Sequence, residues 1–142
     1  MKISAKIDYA CRALLELSLQ WPSSAPLQIN EIAKRQGIPL KFLVHILISL
    51  KQHGVVKSIR GKNGGYVLVK APKDIRLDDI LSDFSGEKTT APASNSEFRK
   101  AHVMALIWHE IDEKVSGIMK NVNFEDICNL ARTKDKNFLY EI

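Results

Sequence analysis

The stretch from Ile29 to Val69 constrains this chain most. INEIAKRQ (29–36) has helical character and is closed by Gly37, a residue that commonly caps a helix C-terminus. Ile38-Pro39 follows, with proline suited to the first turn of a new helix. LKFLVHILISLKQH then carries an apolar stripe of Phe42, Leu43, Ile46, Leu47 and Leu50, and stops at Gly54. Two helices joined by so tight a glycine-containing turn predict a helix-turn-helix. Val55–Ile59 and Tyr66–Val69 are β-branched and alternating, and Arg60-Gly61-Lys62-Asn63-Gly64-Gly65 lies between them. That pattern predicts a hairpin with a glycine-rich tip carrying two cations. The expected class is mainly α with a two-stranded β-wing.

The flanks extend this plan. Ala10, Ala13, Leu14 and Leu17 predict a first helix over 4–20, with Ser4 as its N-cap and Trp21-Pro22 ending it. A short fourth helix is expected around 78–84. SGEKTTAPASNS reads as a linker. Beyond it, Ala101, Met104, Trp108, Ile111, Val115, Ile118 and Val122 keep a seven-residue pattern along a helix expected over 96–121. Such a seam packs on another helix, and a second copy of the chain supplies one. A short last helix should follow Asn123, which with Asp126 resembles a capping box. The expected organisation is a winged helix-turn-helix domain over 1–84, a linker over 85–95, and a helical dimerisation arm over 96–142.

Charge is divided along the chain. Residues 1–73 hold 12 Lys/Arg against 3 Asp/Glu, and residues 74–142 hold 9 against 13. A basic half joined to an acidic half predicts that one part meets a polyanion, here double-stranded DNA. No apolar run approaches a membrane span, and the N-terminus lacks the apolar core of a signal peptide, so a cytoplasmic protein with no membrane partner is expected. Nothing resembles an active site, so an enzyme is not expected. Cys11 and Cys128 form neither a CxxC nor a zinc-type spacing; Cys11 is expected buried in the first helix and Cys128 packed against the arm. His102 and His109 share a helix face near Glu110 and Glu113, which is commoner as a solvated surface than as a metal site. His53 should complement a helix C-terminus.

The second helix of a helix-turn-helix enters the major groove with its first turns. Its outward positions are Pro39, Leu40, Lys41, Val44 and His45, with Ile48 a further candidate one turn on. Lys41 reaches phosphate or a guanine edge, and His45 donates or accepts at a base edge. Pro39 and Leu40 offer apolar contact only. Arg60 and Lys62 sit at the hairpin tip, where Gly61, Asn63, Gly64 and Gly65 let the backbone approach a sugar–phosphate rail. Ser4 and Lys6 are candidate phosphate clamps.

KIDYACRALLELS, INEIAKRQGIPLKFLVHIL, VVKSIRGKNGGYVL and LVKAPKDIRLDDIL together resemble the Rrf-two family of bacterial transcription regulators. The resemblance covers nearly the whole chain, and its most specific part is Arg60-Gly61-x-x-Gly64-Gly65-Tyr66. It implies a winged helix, a long C-terminal dimerisation helix and regulation of nearby genes. The expected function is a dimeric repressor, whose two-fold axis predicts a pseudo-palindromic operator. It places the wing arginine at Arg60 and the base-reading turn at Lys41, Phe42, Val44 and His45. Many relatives carry Glu-Gln where this chain has Val44-His45, which implies a different operator. Cluster-binding relatives hold iron–sulfur centres on three cysteines between the fourth and the long helix. Here that interval is SGEKTTAPASNSEFRKAHVMAL, without cysteine, so no cluster or other cofactor is expected. Two alternatives stay open: a redox or metal sensor with other ligands, and an interaction module docking a metabolic enzyme. The effector is left unspecified.

Overall fold

The computed structural model describes residues 3–85 and 99–141, with side chains over 3–85 and 102–134. Six α-helices and one hairpin follow in the order α1 (Ala5–Gln20), α2 (Ile29–Gln36), α3 (Leu40–Gln52), β1 (Val56–Ile59), β2 (Gly65–Leu68), α4 (Leu77–Ser85), α5 (Arg99–Lys120) and α6 (Phe124–Glu141). The expected mainly α class with a two-stranded wing holds. No helix among the described residues is long and apolar enough to cross a membrane.

α1 is the central helix. Its N-terminus is fixed by Ser4, whose Oγ accepts from the Ile7 amide at 3.3 Å. Ile7, Ala10, Ala13, Leu14 and Leu17 recur at helical spacing and are all buried. The two alanines leave room for neighbouring helices, so α2, α3, α4 and α6 all pack on this one rod. α2 ends as its sequence demands. Gly37 turns left-handed at φ 62°, and the next amide, that of Ile38, reaches back to the Ala33 carbonyl at 3.0 Å. Pro39 is the N-cap of α3 rather than a member of its first turn. Its carbonyl accepts from the Phe42 and Leu43 amides. α3 buries Leu43, Ile46, Leu47 and Leu50. Phe42, expected on that stripe, is 48% exposed at its edge.

The hairpin is antiparallel, pairing Val56 with Leu68 and Ile59 with Gly65. Leu27 adds a bridge to Tyr66 through two backbone hydrogen bonds of 2.9 and 3.0 Å, anchoring the wing on the segment before α2.

The C-terminal part departs most from expectation. α6 spans 18 residues, not a short helix. Phe124 is fully buried in the same core as Ile7, Leu14 and Leu50. Cys128, expected against the arm, is buried beside Ser18 of α1. The turn before α6 is tied to the strand-like segment ahead of α4: Leu77 donates to the Val122 carbonyl at 2.9 Å and Phe124 to that of Ile75 at 3.1 Å. The chain therefore leaves through α5 and returns, so the expected arm shares the core of the N-terminal module. Ser85, expected to start the linker, closes α4, and 86–95 lie outside the described residues.

Candidate nucleic-acid interface

Pro39, Leu40, Lys41, Phe42, Val44, His45 and Ile48 form the outer face of α3, and all are exposed. Burying Leu43, Ile46, Leu47 and Leu50 leaves the intervening positions outward, because side chains three and four apart share a face. The face is unusually apolar. Its only charge is Lys41, whose Nζ lies 5.0 Å from the Phe42 ring centroid.

Phe42 does more than face outward. Its ring stacks on Tyr9 of α1, with centroids 6.3 Å apart and planes inclined by 26°. Arg12 covers the other ring at 4.9 Å. The ladder Arg12–Tyr9–Phe42–Lys41 thus joins α1 to the start of α3. Arg12 also donates to the Gln36 carbonyl at 2.6 Å, at the C-terminus of α2, where a cation is favourable. On the same side Glu16 accepts from Gln36 Nε2 at 2.6 Å and meets Arg35 at 3.6 Å. These bonds fix α2 against α1, and the Tyr9–Phe42 stack packs the start of α3 on the same helix. The sequence reading missed Tyr9 and Arg12. Their three-residue spacing on α1 was the available signal, but only the fold brings Phe42 to them.

Lys6 lies near this face. It lines one cavity together with Phe42 and His45, and its Nζ stands 5.5 Å from the Phe84 ring of α4. Ser4 is exposed, with its hydroxyl oxygen engaged as the α1 cap.

The wing tip is a separate element. Arg60, Gly61, Lys62 and Asn63 are exposed. Gly64 and Gly65 are not open to an approaching rail in the same way. A side chain on Gly64 would meet the Ile59 carbonyl oxygen, and one on Gly65 would meet that of Leu27. Both glycines answer a packing demand of the hairpin itself. Lys51 of α3 donates to Ser58 of β1 at 2.9 Å and ties that helix to the wing. Lys57, outward on β1, is a further cation that sequence reasoning did not select.

The seam residues lie away from α3. On α5, Met104, Trp108, Ile111 and Ile118 are exposed and Val115 is half-buried, while Val122, expected on the same seam, is half-buried in the turn after the helix; the side chain of Ala101 lies outside the described residues. Val103, Leu106 and Ile107 are exposed as well. His109 pairs with Glu113 at 3.5 Å. His53 caps α3, its Nδ1 lying 2.8 Å from the Ser49 carbonyl and its Nε2 3.8 Å from Asp83 of α4. Burial pushes the Cys11 thiol up to about 11, with the Asp8 carboxylate adding to the effect. Burial also raises that of Cys128.

Residues 3–130 match the Rrf2 family, described as an iron-dependent transcriptional regulator. An rrf2-like HTH-type transcriptional regulator of Rhodobacter capsulatus is 45% identical over 92 residues, which are 63% of this chain and 61% of that protein, so the match spans less than two thirds of it. The HTH-type transcriptional regulator slr0846 of Synechocystis is 33% identical over 135 residues, covering 94% of this chain and 91% of that one. Among solved structures, CymR, the global cysteine regulator of B. subtilis, superposes with a TM-score of 0.77 at 27% identity, covering 92% of this chain and 98% of that one. These relatives are regulators rather than enzymes, and the winged helix built above is shared with that solved structure. The chain belongs to the Rrf2 family of transcriptional regulators.

Proposed function

We propose that the protein is a homodimer that binds double-stranded DNA at a pseudo-palindromic operator and represses transcription. The observation that carries this reading is the outer face of α3, a helix packed against α1 and tied through Lys51–Ser58 to a wing tipped with Arg60 and Lys62. α3 fits a major groove, and an exposed arginine on a narrow wing suits the adjacent minor groove. Lys41 and His45 supply the polar contacts of the reading turn. Leu40 and Val44 supply apolar ones, as for a thymine methyl. Two copies related by a two-fold axis would present two α3 helices to half-sites about one DNA turn apart, or a multiple of it.

The donor set does not fit an iron–sulfur cluster. Clusters need thiolates, and burial holds both Cys11 and Cys128 as neutral thiols on two separate helices. We therefore read this regulator as one that works without a cluster. Iron and sulfide analysis of protein purified without oxygen checks this, and stoichiometric iron would contradict it.

The function is tested by fluorescence anisotropy on DNA from the protein's own promoter, alongside sedimentation. A dimer that shifts one fragment and ignores scrambled DNA is expected. Arg60→Ala should weaken binding by roughly 1–3 kcal/mol with its melting curve unchanged. Equal affinity for scrambled DNA would rule out operator recognition.

A further inference from the structure

We infer that the cleft between α1 and α3 is an effector site for a small aromatic carboxylate. The inference rests on reading α3 as the DNA-recognition helix. The cleft is a cavity of about 400 Å³ lined by Ala5, Lys6, Tyr9, Phe42, His45 and Ile46. Small-molecule pockets commonly hold roughly 300–1,000 Å³ and combine apolar walls with a few placed polar groups. This one has that make-up. Tyr9, Phe42, Ile46 and Ala5 give it a carbon surface with two aromatic rings, and the nitrogen-bearing groups are Lys6 and His45.

The charge of the lining selects the ligand. Among the described residues no carboxylate lines the cavity. Asp8, the acidic residue next along α1, is paired with Arg12 at 3.1 Å. A ligand with a flat apolar body buries it against Tyr9, Phe42 and Ile46 and leaves an anionic group to meet the Lys6 ammonium. A cation would be repelled, and a neutral hydrocarbon would leave the Lys6 ammonium where it stands, 5.5 Å from the centroid of the Phe84 ring, whereas a carboxylate offers it a stronger partner.

The position of the cavity gives it a consequence. Phe42 and His45 belong to the reading turn, and Lys6 is a candidate phosphate clamp. A carboxylate held there engages Lys6 and sets a negative charge beside the DNA backbone, so the ligand lowers operator affinity.

The probe is naphthalene-2-carboxylate, titrated calorimetrically into the full-length, DNA-free protein, with naphthalene-2-carboxamide as its uncharged counterpart. The expected result is one saturable site per protomer, with the carboxamide roughly ten-fold or more weaker, as befits loss of a charge-assisted hydrogen bond. Ala5 is exposed, so Ala5→Phe fills the cavity from its mouth; it should abolish binding while melting like the parent. Lys6→Gln should bring the carboxylate down to the carboxamide's affinity. On promoter DNA at fixed ionic strength, the carboxylate should raise the apparent Kd. Three results would overturn the site. One is absence of saturable binding. Another is unchanged binding in Ala5→Phe, which would put the probe elsewhere, such as on α5. The third is binding only by a monomeric variant, which would show a second copy filling the cleft. A protein that binds the probe as described but never binds DNA leaves the site standing and removes the recognition reading instead.

Discussion

Gly64 and Cys11 show how much a single residue is asked to do. At Gly64 an added Cβ would run into the Ile59 carbonyl oxygen and lie 3.0 Å from that of Gly61, and both are backbone atoms that cannot swing aside. Gly64→Ala should therefore cost about 1–3 kcal/mol, read as a lower melting temperature. An unchanged melt would mean that the wing does not close in this way. Cys11 makes a different demand. Its thiol titrates near 11 in the fold against an ordinary 9.0. Between those values the unfolded chain has lost the proton that the folded chain keeps. Stability from this group is thus complete below about pH 9 and falls as pH rises toward 11. Chemical denaturation at pH 7 and pH 10 should show a larger drop for the parent than for Cys11→Ala. The thiol should also react sluggishly with iodoacetamide at pH 8, because the thiolate is the nucleophile. An equal drop in both proteins would deny the thiol this role.

At the scale of elements, α5 is the helix with an unmet need. Val103, Met104, Ile107, Trp108, Ile111 and Ile118 crowd one side of it, with Trp108 59% and Ile118 67% exposed. A solvated apolar face of that extent marks an association surface. Trp108→Asp puts a carboxylate into it and should convert dimer to monomer in sedimentation. A dimer that survives would place the interface elsewhere. The heptad pattern made this helix legible in the sequence, as glycine punctuation did for α2, α3 and the wing. α6 was less legible for a physical reason. It is held by Phe124 and Cys128 packing on α1, a partner more than a hundred residues away, and its exposed turns are polar. The cap was visible: Asn123 Oδ1 accepts from the Asp126 amide at 2.9 Å. The length was not, because tertiary burial sets it. The Leu27–Tyr66 bridge is similarly a meeting of distant segments with no local signature. In the candidate site, the outward residues of α3 followed from its periodicity. The Tyr9–Phe42 stack needed the α1–α3 crossing, which no single helix encodes.

At the scale of the whole molecule, charge is divided along the chain, with a net of +9 over residues 1–73 (12 Lys/Arg against 3 Asp/Glu) and −4 over 74–142 (9 against 13). The basic excess lies in α2, α3 and the wing, since Lys6 and Arg12 of α1 are matched by Asp8 and Glu16, and the acidic excess is greatest in α4, which carries Asp78, Asp79 and Asp83 and no cation. The net charge of +5 therefore understates the field at the proposed interface. A dimer doubles the number of basic faces on one duplex without bringing the acidic halves to the DNA. Binding should then behave as phosphate neutralisation by the N-terminal faces. If about six phosphates are neutralised, the log–log salt slope is near −5, and affinity falls roughly 10³-fold between 50 and 200 mM salt. Lys62→Ala removes one exposed wing cation, so the slope should shrink by about one with similar losses on operator and scrambled DNA. Lys41→Ala, in the reading turn, should weaken the operator more than scrambled DNA. A salt-independent affinity, or equal effects of the two substitutions on both DNAs, would separate the fold from DNA recognition.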